Sequence, residues 1–447
     1  MNILWLGSGL LLPLDKGGKL RTWHLLRHLA ARHEVTYLCF ADPSAATADV
    51  EGMRQVCSRL ETVPRRHLAA KGTARFYLDA ARYLADPVPY AVAAYRSPAY
   101  RHRVAALLEQ ERYDALVCDF LVPAVNMPDD PGCPSVLFTH NVEAEIWRRH
   151  AEAAGSGWKS VLLGSQWRRM LRFEGQTVGR FDSVLAVSDA DRQTLASLYP
   201  QQLAGPVHVI PTGVDVEYFR PALGLPRDPT RLVFTGSMDW LPNEDGILYF
   251  CREVLPRIRR SVPDAGLSIV GREPTPAVRR LAEEDSRIEV TGRVDDIRPH
   301  VGRSRVAIVP LRIGGGTRLK IYEAMAMGTP VVSTTIGAEG LPLVPGRDIA
   351  LADDPGAFSA EVVRLIGSAE AWAGMAGAAL QLVTDRYDWS AVAGSLEHAI
   401  RSTVLRRALK RPVPARVASG VPVSSPGRAA AFEAEPRPAD LTTHRTP

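Results

Sequence analysis

Cysteine is scarce and poorly placed for a structural role: Cys39, Cys57, Cys118, Cys133 and Cys251 are odd in number, widely spaced and contain no Cys-x-x-Cys pair. That excludes a disulfide framework and a zinc ribbon, and it fits a reducing, cytoplasmic compartment. Long apolar runs are missing too. No stretch of about 18 uncharged apolar residues occurs, so no helix is expected to cross a bilayer. The opening segment MNILWLGSGLLLPLDKGG is apolar, yet it has no basic residue ahead of the run and no small-x-small cleavage site near Pro13. It reads as a buried first strand rather than a leader. The body also lacks an excess of either charge. The formal +5 lies in the stretch from Arg406, where eight basic residues meet three acidic ones, and residues 1–405 are balanced. A neutral body argues against nucleic acid as a partner, since a fold that binds phosphates gathers cations on a structured face.

What remains is an ordinary globular composition, 46% hydrophobic and 23% charged over 447 residues, enough for two or three domains with real cores. Short apolar runs alternate with amphipathic stretches, which predicts parallel sheets covered by helices on both faces. Strands are expected at Asn2–Leu6, Val35–Phe40, Ala115–Cys118, Ser135–Thr139, Ser183–Val187 and His208–Ile210, with helices such as Lys19–Arg32 and Arg101–Glu111 between them. A second series follows the Pro- and Gly-containing stretch Pro221–Pro229: strands at Leu232–Thr235, Leu267–Val270, Ile288–Val290, Val306–Pro310 and Val331–Ser333, and helices at Glu244–Arg260 and Leu319–Met327. From Arg411 onward Pro, Ala, Arg, Ser and Thr dominate without periodicity, the composition of a disordered tail. The expected organisation is α/β: two doubly wound, Rossmann-like domains over 1–210 and 211–388, a terminal helix over 389–410 returning toward the first domain, and a tail over 411–447. Ligands of such domains sit where strands end, so the chemistry should lie on loops that follow strands.

One such loop stands out. After the strand Val306–Pro310, the glycines Gly314, Gly315 and Gly316 permit close backbone approach, and a helix opens near Thr317. Free N–H groups and the helix dipole suit a phosphate there. Arg318 and Lys320 add cationic donors, and Glu323 offers a carboxylate to ribose hydroxyls. Gly17 and Gly18 open the first helix in a comparable way, and His140 directly follows a strand. Asp189-Ala-Asp191 has the form of a metal-binding pair, but it follows Ser188 at a helix start, where Ser and Asp cap. Glu143 and Glu145 point to different sides of a helix and do not make a hydrolase pair. Trp147-Arg-Arg, Trp158-Lys and Trp167-Arg-Arg suit either a helix docking at an anionic membrane surface or a face packed on the domain with its arginines in water; the second is favoured.

The segment from Val309 to Ser333 resembles the C-terminal domain of glycosyltransferase family 4, the retaining, sugar-nucleotide-dependent enzymes of GT-B fold, with the flavour of bacterial exopolysaccharide transferases. The likeness extends from the first strand to about Arg401. Its matching pieces are Lys16-Gly-Gly-Lys19, Phe138-Thr-His-Asn141, Arg180 through Asp189, Val209-Ile-Pro-Thr-Gly-Val-Asp215, Phe234-Thr-Gly-Ser237, Val270-Gly-Arg272, Thr291-Gly-Arg-Val-Asp-Asp296 and Glu323-Ala-Met-Ala-Met-Gly328. The resemblance implies that His140 reaches the donor sugar near the reacting carbon. It also implies that Gly236, Ser237 and Gly271 line the nucleotide site, with Arg293 and Val294 bordering the base. Two positions depart from the family pattern. The first member of the family's glutamate pair falls on Gly315, while the second matches Glu323. The phosphate clamp of an arginine and a lysine after the domain's first strand is absent from Gly236–Gly246, which leaves Arg318 and Lys320 as the natural replacements.

What the resemblance implies is transfer of a sugar from a UDP- or GDP-linked donor, bound by the domain over 211–388, to a hydroxyl of a glycan, lipid-linked or other acceptor, bound by the domain over 1–210, in polysaccharide or glycoconjugate biosynthesis. The anomeric configuration is kept, and neither cofactor nor metal is expected. The departing diphosphate accepts the acceptor's proton, Arg318, Lys320 and the Gly314–Gly316 amides stabilise its charge, and domain closure excludes water. Two alternatives stay open at this point: a sugar-nucleotide 2-epimerase of the same architecture, and a non-catalytic nucleotide-sugar-binding subunit. The expected location is cytoplasmic, with peripheral membrane association as a further partner reading.

Overall fold

A computed structural model describes residues 1–14, 17–65, 86–221, 226–313 and 318–410. The expected tail over 411–447 and part of the expected linker fall outside the described residues. The first sheet contains β1 (Asn2–Leu6), β2 (Glu34–Ala41), β3 (Arg59–Pro64), β4 (Ala115–Asp119), β5 (Ser135–Phe138), β6 (Ser183–Ala186) and β7 (Val207–Val209). The second contains β8 (Arg231–Thr235), β9 (Gly266–Val270), β10 (Ile288–Gly292), β11 (Val306–Val309), β12 (Val331–Ser333) and β13 (Ala350–Leu351). Their orders are β3-β2-β1-β4-β5-β6-β7 and β10-β9-β8-β11-β12-β13, with every pairing parallel.

The apolar runs produce this arrangement because a strand in a parallel sheet is covered on both faces. In β1, Ile3 and Trp5 enter one core cluster while Leu4 and Leu6 enter the cluster on the opposite face. The order reverses beside β1 and beside β8, each flanked by the strand that follows it and by a later one. A crevice opens at such switch points outside the carboxyl ends of the strands, so the topology assigns the ligand side before any side chain is considered.

Two edge strands escape the sequence reading. β3 runs Arg-Leu-Glu-Thr-Val-Pro, with charges appropriate to a sheet edge, and β13 is only two residues long. The stretch read as one helix over Glu244–Arg260 is divided: an α-helix Leu241–Tyr249, a π-helical turn Phe250–Val254 and a second α-helix Leu255–Ser261. Pro256 is the physical reason. It has no N–H to donate and its ring crowds the carbonyl one turn back, so the ladder widens by a residue.

The chain crosses between the sheets twice, and the two crossings run side by side. Val214 N–H donates to the Tyr387 carbonyl at 2.7 Å, and Trp389 N–H donates back to the Val214 carbonyl at 3.3 Å. A Cβ on Gly213 would lie 2.6 Å from the Trp389 indole, so a side chain there would push the crossings apart. Beyond the second crossing, helix Trp389–Lys410 lays Trp389, Val392, Leu396 and Ile400 onto the same core cluster as Ile3 and Trp5 of the first sheet. Both sheets belong to one compact unit, Met1–Ala408.

Candidate active site

A cleft of about 1220 Å³ opens along the ligand side of the first sheet, with Leu319, Glu339 and Gly340 of the second-sheet half also on its wall. Its floor is built from the ends of β4 and β5. Asp119 closes the otherwise apolar strand Ala-Leu-Val-Cys-Asp and is buried. His140 lies just beyond β5, also buried, and its Nε2–H donates to Asp119 Oδ1 at 2.7 Å. The other carboxylate oxygen accepts from Thr22 Oγ1 at 2.7 Å. Arg21 Nη1, which can only donate, meets His140 Nδ1 at 3.1 Å, and its Nη2 reaches Thr212 Oγ1 on the first crossing between the sheets. An acceptor on one side and an obligate donor on the other fix the imidazole as its Nε2–H tautomer.

Aromatic contacts hold the ring in plane. Phe120 stacks on His140 with centroids 3.7 Å apart and planes 10° from parallel, and Phe138 tilts against it at 4.5 Å. To do this Phe120 takes φ +70°, a conformation that costs a side-chain-bearing residue about 1–2 kcal/mol. A Cβ on Gly18 would come 2.6 Å from Phe120 Cζ. Gly18 therefore leaves room for the ring that supports His140, while Gly17 and Gly18 both border the cleft. Burial lowers the His140 pKa, and Arg21 adds to the lowering against the opposing pull of Asp119. Burial likewise holds the Arg21 guanidinium down to about 10 despite the Asp119 carboxylate. The imidazole is thus a neutral ring with both nitrogens engaged.

The loop that delivers His140 has its own support. Helix Glu143–Ala153 begins three residues later, and its first N–H groups, those of Glu143 and Ala144, donate to the carboxylate of Glu174 at 2.8 and 3.1 Å. Tyr199 donates to the same carboxylate at 2.7 Å. Burial pushes the Glu174 carboxyl up to about 7. Ser188 caps the helix Asp189–Leu198 by accepting from Asp191 N–H at 3.1 Å and donating to Asp191 Oδ2 at 2.7 Å, so that Asp pair closes a helix start.

On the second sheet, the turn after β8 brings four of the sequence-selected residues together. Lys320, on helix Leu319–Ala326, extends Nζ over the Phe234 ring at 4.2 Å and donates to Asn243 Oδ1 at 3.0 Å. Asn243 in turn donates to the Ser237 carbonyl at 2.8 Å. A Cβ on Gly236 would stand 2.7 Å from Lys320 Nζ, so glycine lets the ammonium reach the backbone at the end of β8. A Cβ on Gly271 would strike the Gly236 carbonyl. Arg318 is buried, with its guanidinium 4.8 Å from the Trp240 ring centroid. Burial, reinforced by Arg318, holds the Lys320 ammonium down to about 7. Burial pushes the Glu323 carboxyl, one turn along the helix, up to about 7 against the pull of Lys320. Two groups poised near neutrality on one helix face are suited to a ligand that brings charge with it.

Arg293 is exposed just past β10, and Val294 packs against the second-sheet core. Gly314, Gly315, Gly316 and Thr317 lie outside the described residues. Sequence reading missed Asp119, Arg21, Phe120 and Thr212. A charged residue closing the apolar strand β4 was the available signal for Asp119; a lone arginine in an amphipathic helix gave none for Arg21.

Two family models match the chain: Glycosyltransferase Family 4 over residues 16–218, and Glycosyl transferases group 1 over residues 229–368. Among curated relatives, the D-inositol 3-phosphate glycosyltransferase 2 of Catenulispora acidiphila is 28% identical over 248 residues, 50% of this chain and 56% of that protein. The phosphatidyl-myo-inositol mannosyltransferase of Mycobacterium leprae is 29% identical over 328 residues, 70% of this chain and 80% of that protein. Several curated relatives are spanned over only about half to two thirds of their own length. The Anabaena protein Alr3699/HepE, solved with UDP, superposes over 90% of this chain and 100% of its own with a TM-score of 0.60 at 15% identity. That likeness establishes the architecture, GT-B, with its two parallel sheets.

Proposed function

Because the chain belongs to the family 4, group 1 glycosyltransferases, we propose that it transfers a glycosyl group from a UDP- or GDP-sugar to a hydroxyl of a glycan or lipid-linked acceptor, with retention at the anomeric carbon. The observation that carries this reading is the Lys320 ammonium held against Asn243 and the Gly236 turn, with Arg318 on the same helix start. These are cations collected where a strand ends and a helix begins, the position in which a diphosphate is held. The UDP bound by Alr3699/HepE supports a nucleotide donor.

In the reaction, the acceptor oxygen forms its bond to the anomeric carbon as the bond to the β-phosphate oxygen breaks. The acceptor proton passes to the departing phosphate on the same face. Arg318 and Lys320 stabilise the charge that develops on the diphosphate. Glu323 accepts from the ribose hydroxyls. No carboxylate nucleophile is required; Asp119 is buried, and its two oxygens accept from Thr22 and His140. The neutral His140 ring, fixed on both sides, shapes the floor against which the sugar rests.

Purified protein incubated with a panel of UDP- and GDP-sugars, without acceptor, provides the test. Slow release of free nucleoside diphosphate from one donor, with a thermal shift for the same donor, is the expected result. Absence of binding and of release across the whole panel would defeat the reading. Release of a nucleotide together with an epimerised or unsaturated sugar would point to the 2-epimerase instead.

A further inference from the structure

At the far side of the first sheet, the cleft holds a cation that this mechanism does not use. Arg65 follows β3 directly, and its N–H donates to the Ala41 carbonyl at the end of β2 at 2.9 Å. Its side chain borders the cleft. The guanidinium carbon lies over the Tyr95 ring, 3.6 Å from the centroid, and 5.2 Å from that of Phe40, while Nη2 donates to the Ala94 carbonyl at 3.0 Å. Two rings and a carbonyl hold it in one place. No carboxylate among the described residues pairs with it.

Several acidic groups on the same wall have partners of their own. Glu145 takes hydrogen bonds from Arg148 and Arg149. Asp42 accepts from Ser44 N–H and Oγ at 2.8 and 2.5 Å. Asp119 is shared by His140 and Thr22, and Asp49 sits in the first turn of helix Thr47–Arg54, where the dipole favours a negative charge. The cleft thus presents a held, half-buried guanidinium with hydrogen-bond donors to spare and, among the described residues, no carboxylate paired to it. Desolvating a guanidinium is unfavourable, and the arrangement is balanced when an anion arrives with its own charge.

Resting on the transfer reading above, we infer that Arg65 is an anion subsite in the acceptor half of the cleft, and that the acceptor carries an acidic group, a phosphate or a carboxylate, beside the hydroxyl that receives the sugar. The planar fork suits either group in a bidentate pair. The aromatic platform and the Ala94 carbonyl hold the guanidinium in one place, so Arg65 selects acceptors by the position of the acid as well as by its charge.

Three small probes, glycerol 1-phosphate, glucuronate and methyl glucoside, titrated into the full-length chain by ligand-observed NMR, test the inference. Saturating UDP keeps the anions away from Arg318 and Lys320, and a Lys320→Ala background serves the same purpose independently of UDP. At least one anion should bind about tenfold or more tightly than methyl glucoside, a typical worth for one charge-assisted contact. Arg65→Met, which keeps the apolar stack, should erase that preference, and Arg65→Lys should restore part of it. Whichever of the two anions shows the preference identifies the acidic group. Equal binding of anionic and neutral probes, or an unchanged anion preference in a folded Arg65→Met variant, would overturn the assignment. That outcome would leave Arg65 a structural clip on Ala94. If Arg65→Met melts well below wild type, Arg65→Gln takes its place in the same titration. UDP binding, measured in the same samples, reports separately on the donor reading.

Discussion

Asp119→Asn is the most informative single change at the cleft floor, because it preserves shape and removes one charge. The asparagine carbonyl can still accept from His140 Nε2–H, and its amide can donate to Thr22 Oγ1 once that hydroxyl turns, so both contacts now at 2.7 Å survive in form. What disappears is the counter-charge to the buried Arg21 guanidinium, which is linked to Asp119 through the imidazole. Removing one partner of a buried ionic pair costs about 3–5 kcal/mol. Since Arg21 has an intervening ring and the Thr212 hydroxyl for support, the lower end, about 3 kcal/mol, is expected. Arg21→Met should cost a similar amount by stranding Asp119. The double variant should lose less than the sum, with a coupling of about 1.5–3 kcal/mol, because the second substitution removes a charge that the first left uncompensated. Arg21→Met also frees His140 Nδ1 while Asp119 stays, which should raise the His140 pKa. Because burial keeps the wild-type ring below the unfolded value of about 6.5, the fold loses stability as pH falls below that value; relieving part of the lowering reduces this loss, so the variant's deficit relative to wild type should be smaller at pH 6 than at pH 8. Urea unfolding of wild type, both single variants and the double at the two pH values measures all of this. A coupling below about 0.5 kcal/mol would show that Asp119 and Arg21 do not act as one unit through His140, and the account of the floor would be wrong.

The donor half supports further expectations. Lys320→Ala and Arg318→Ala should each lower turnover by about a hundredfold, as expected for donors to a developing charge, and the double variant should lose less than the product, since both serve one diphosphate. Rates within about twofold of wild type for all three would place the clamp elsewhere. Because the Lys320 ammonium is held down to about 7 in the free site, a bound diphosphate should raise it again. Binding of UDP or GDP should therefore take up a proton at pH 8 and weaken as pH rises above about 7, a sign that calorimetry in buffers of different ionisation enthalpy reads directly. Proton release on binding would contradict it. Turnover should persist in excess EDTA, and activity lost to chelator and restored by Mn²⁺ or Mg²⁺ would show that a metal shares the phosphate site.

The sequence by itself determined the layers. Runs such as Leu232-Val-Phe and Ile3-Leu-Trp-Leu are short and apolar without alternation, as suits a strand covered on both faces, and the loops after such runs are where a ligand can enter. The gathering of Gly236 and Lys320 on that side was legible for the same reason, since each lies just after a strand or at the start of the following helix, with Glu323 one turn further along. The floor of the cleft was decided by tertiary structure alone. Arg21 and Thr212 stand 191 residues apart, and His140 and Asp119 come from neighbouring strands whose adjacency is a fact of sheet order. Local periodicity encodes how deeply a residue is buried but not which residue it meets, because burial depends on a face and partnership depends on register. The end of Lys320 against Asn243 has the same origin: the resemblance marked a missing cation in one loop and a surplus in another, and only the parallel pairing of β8 with β11 brings the two loops together.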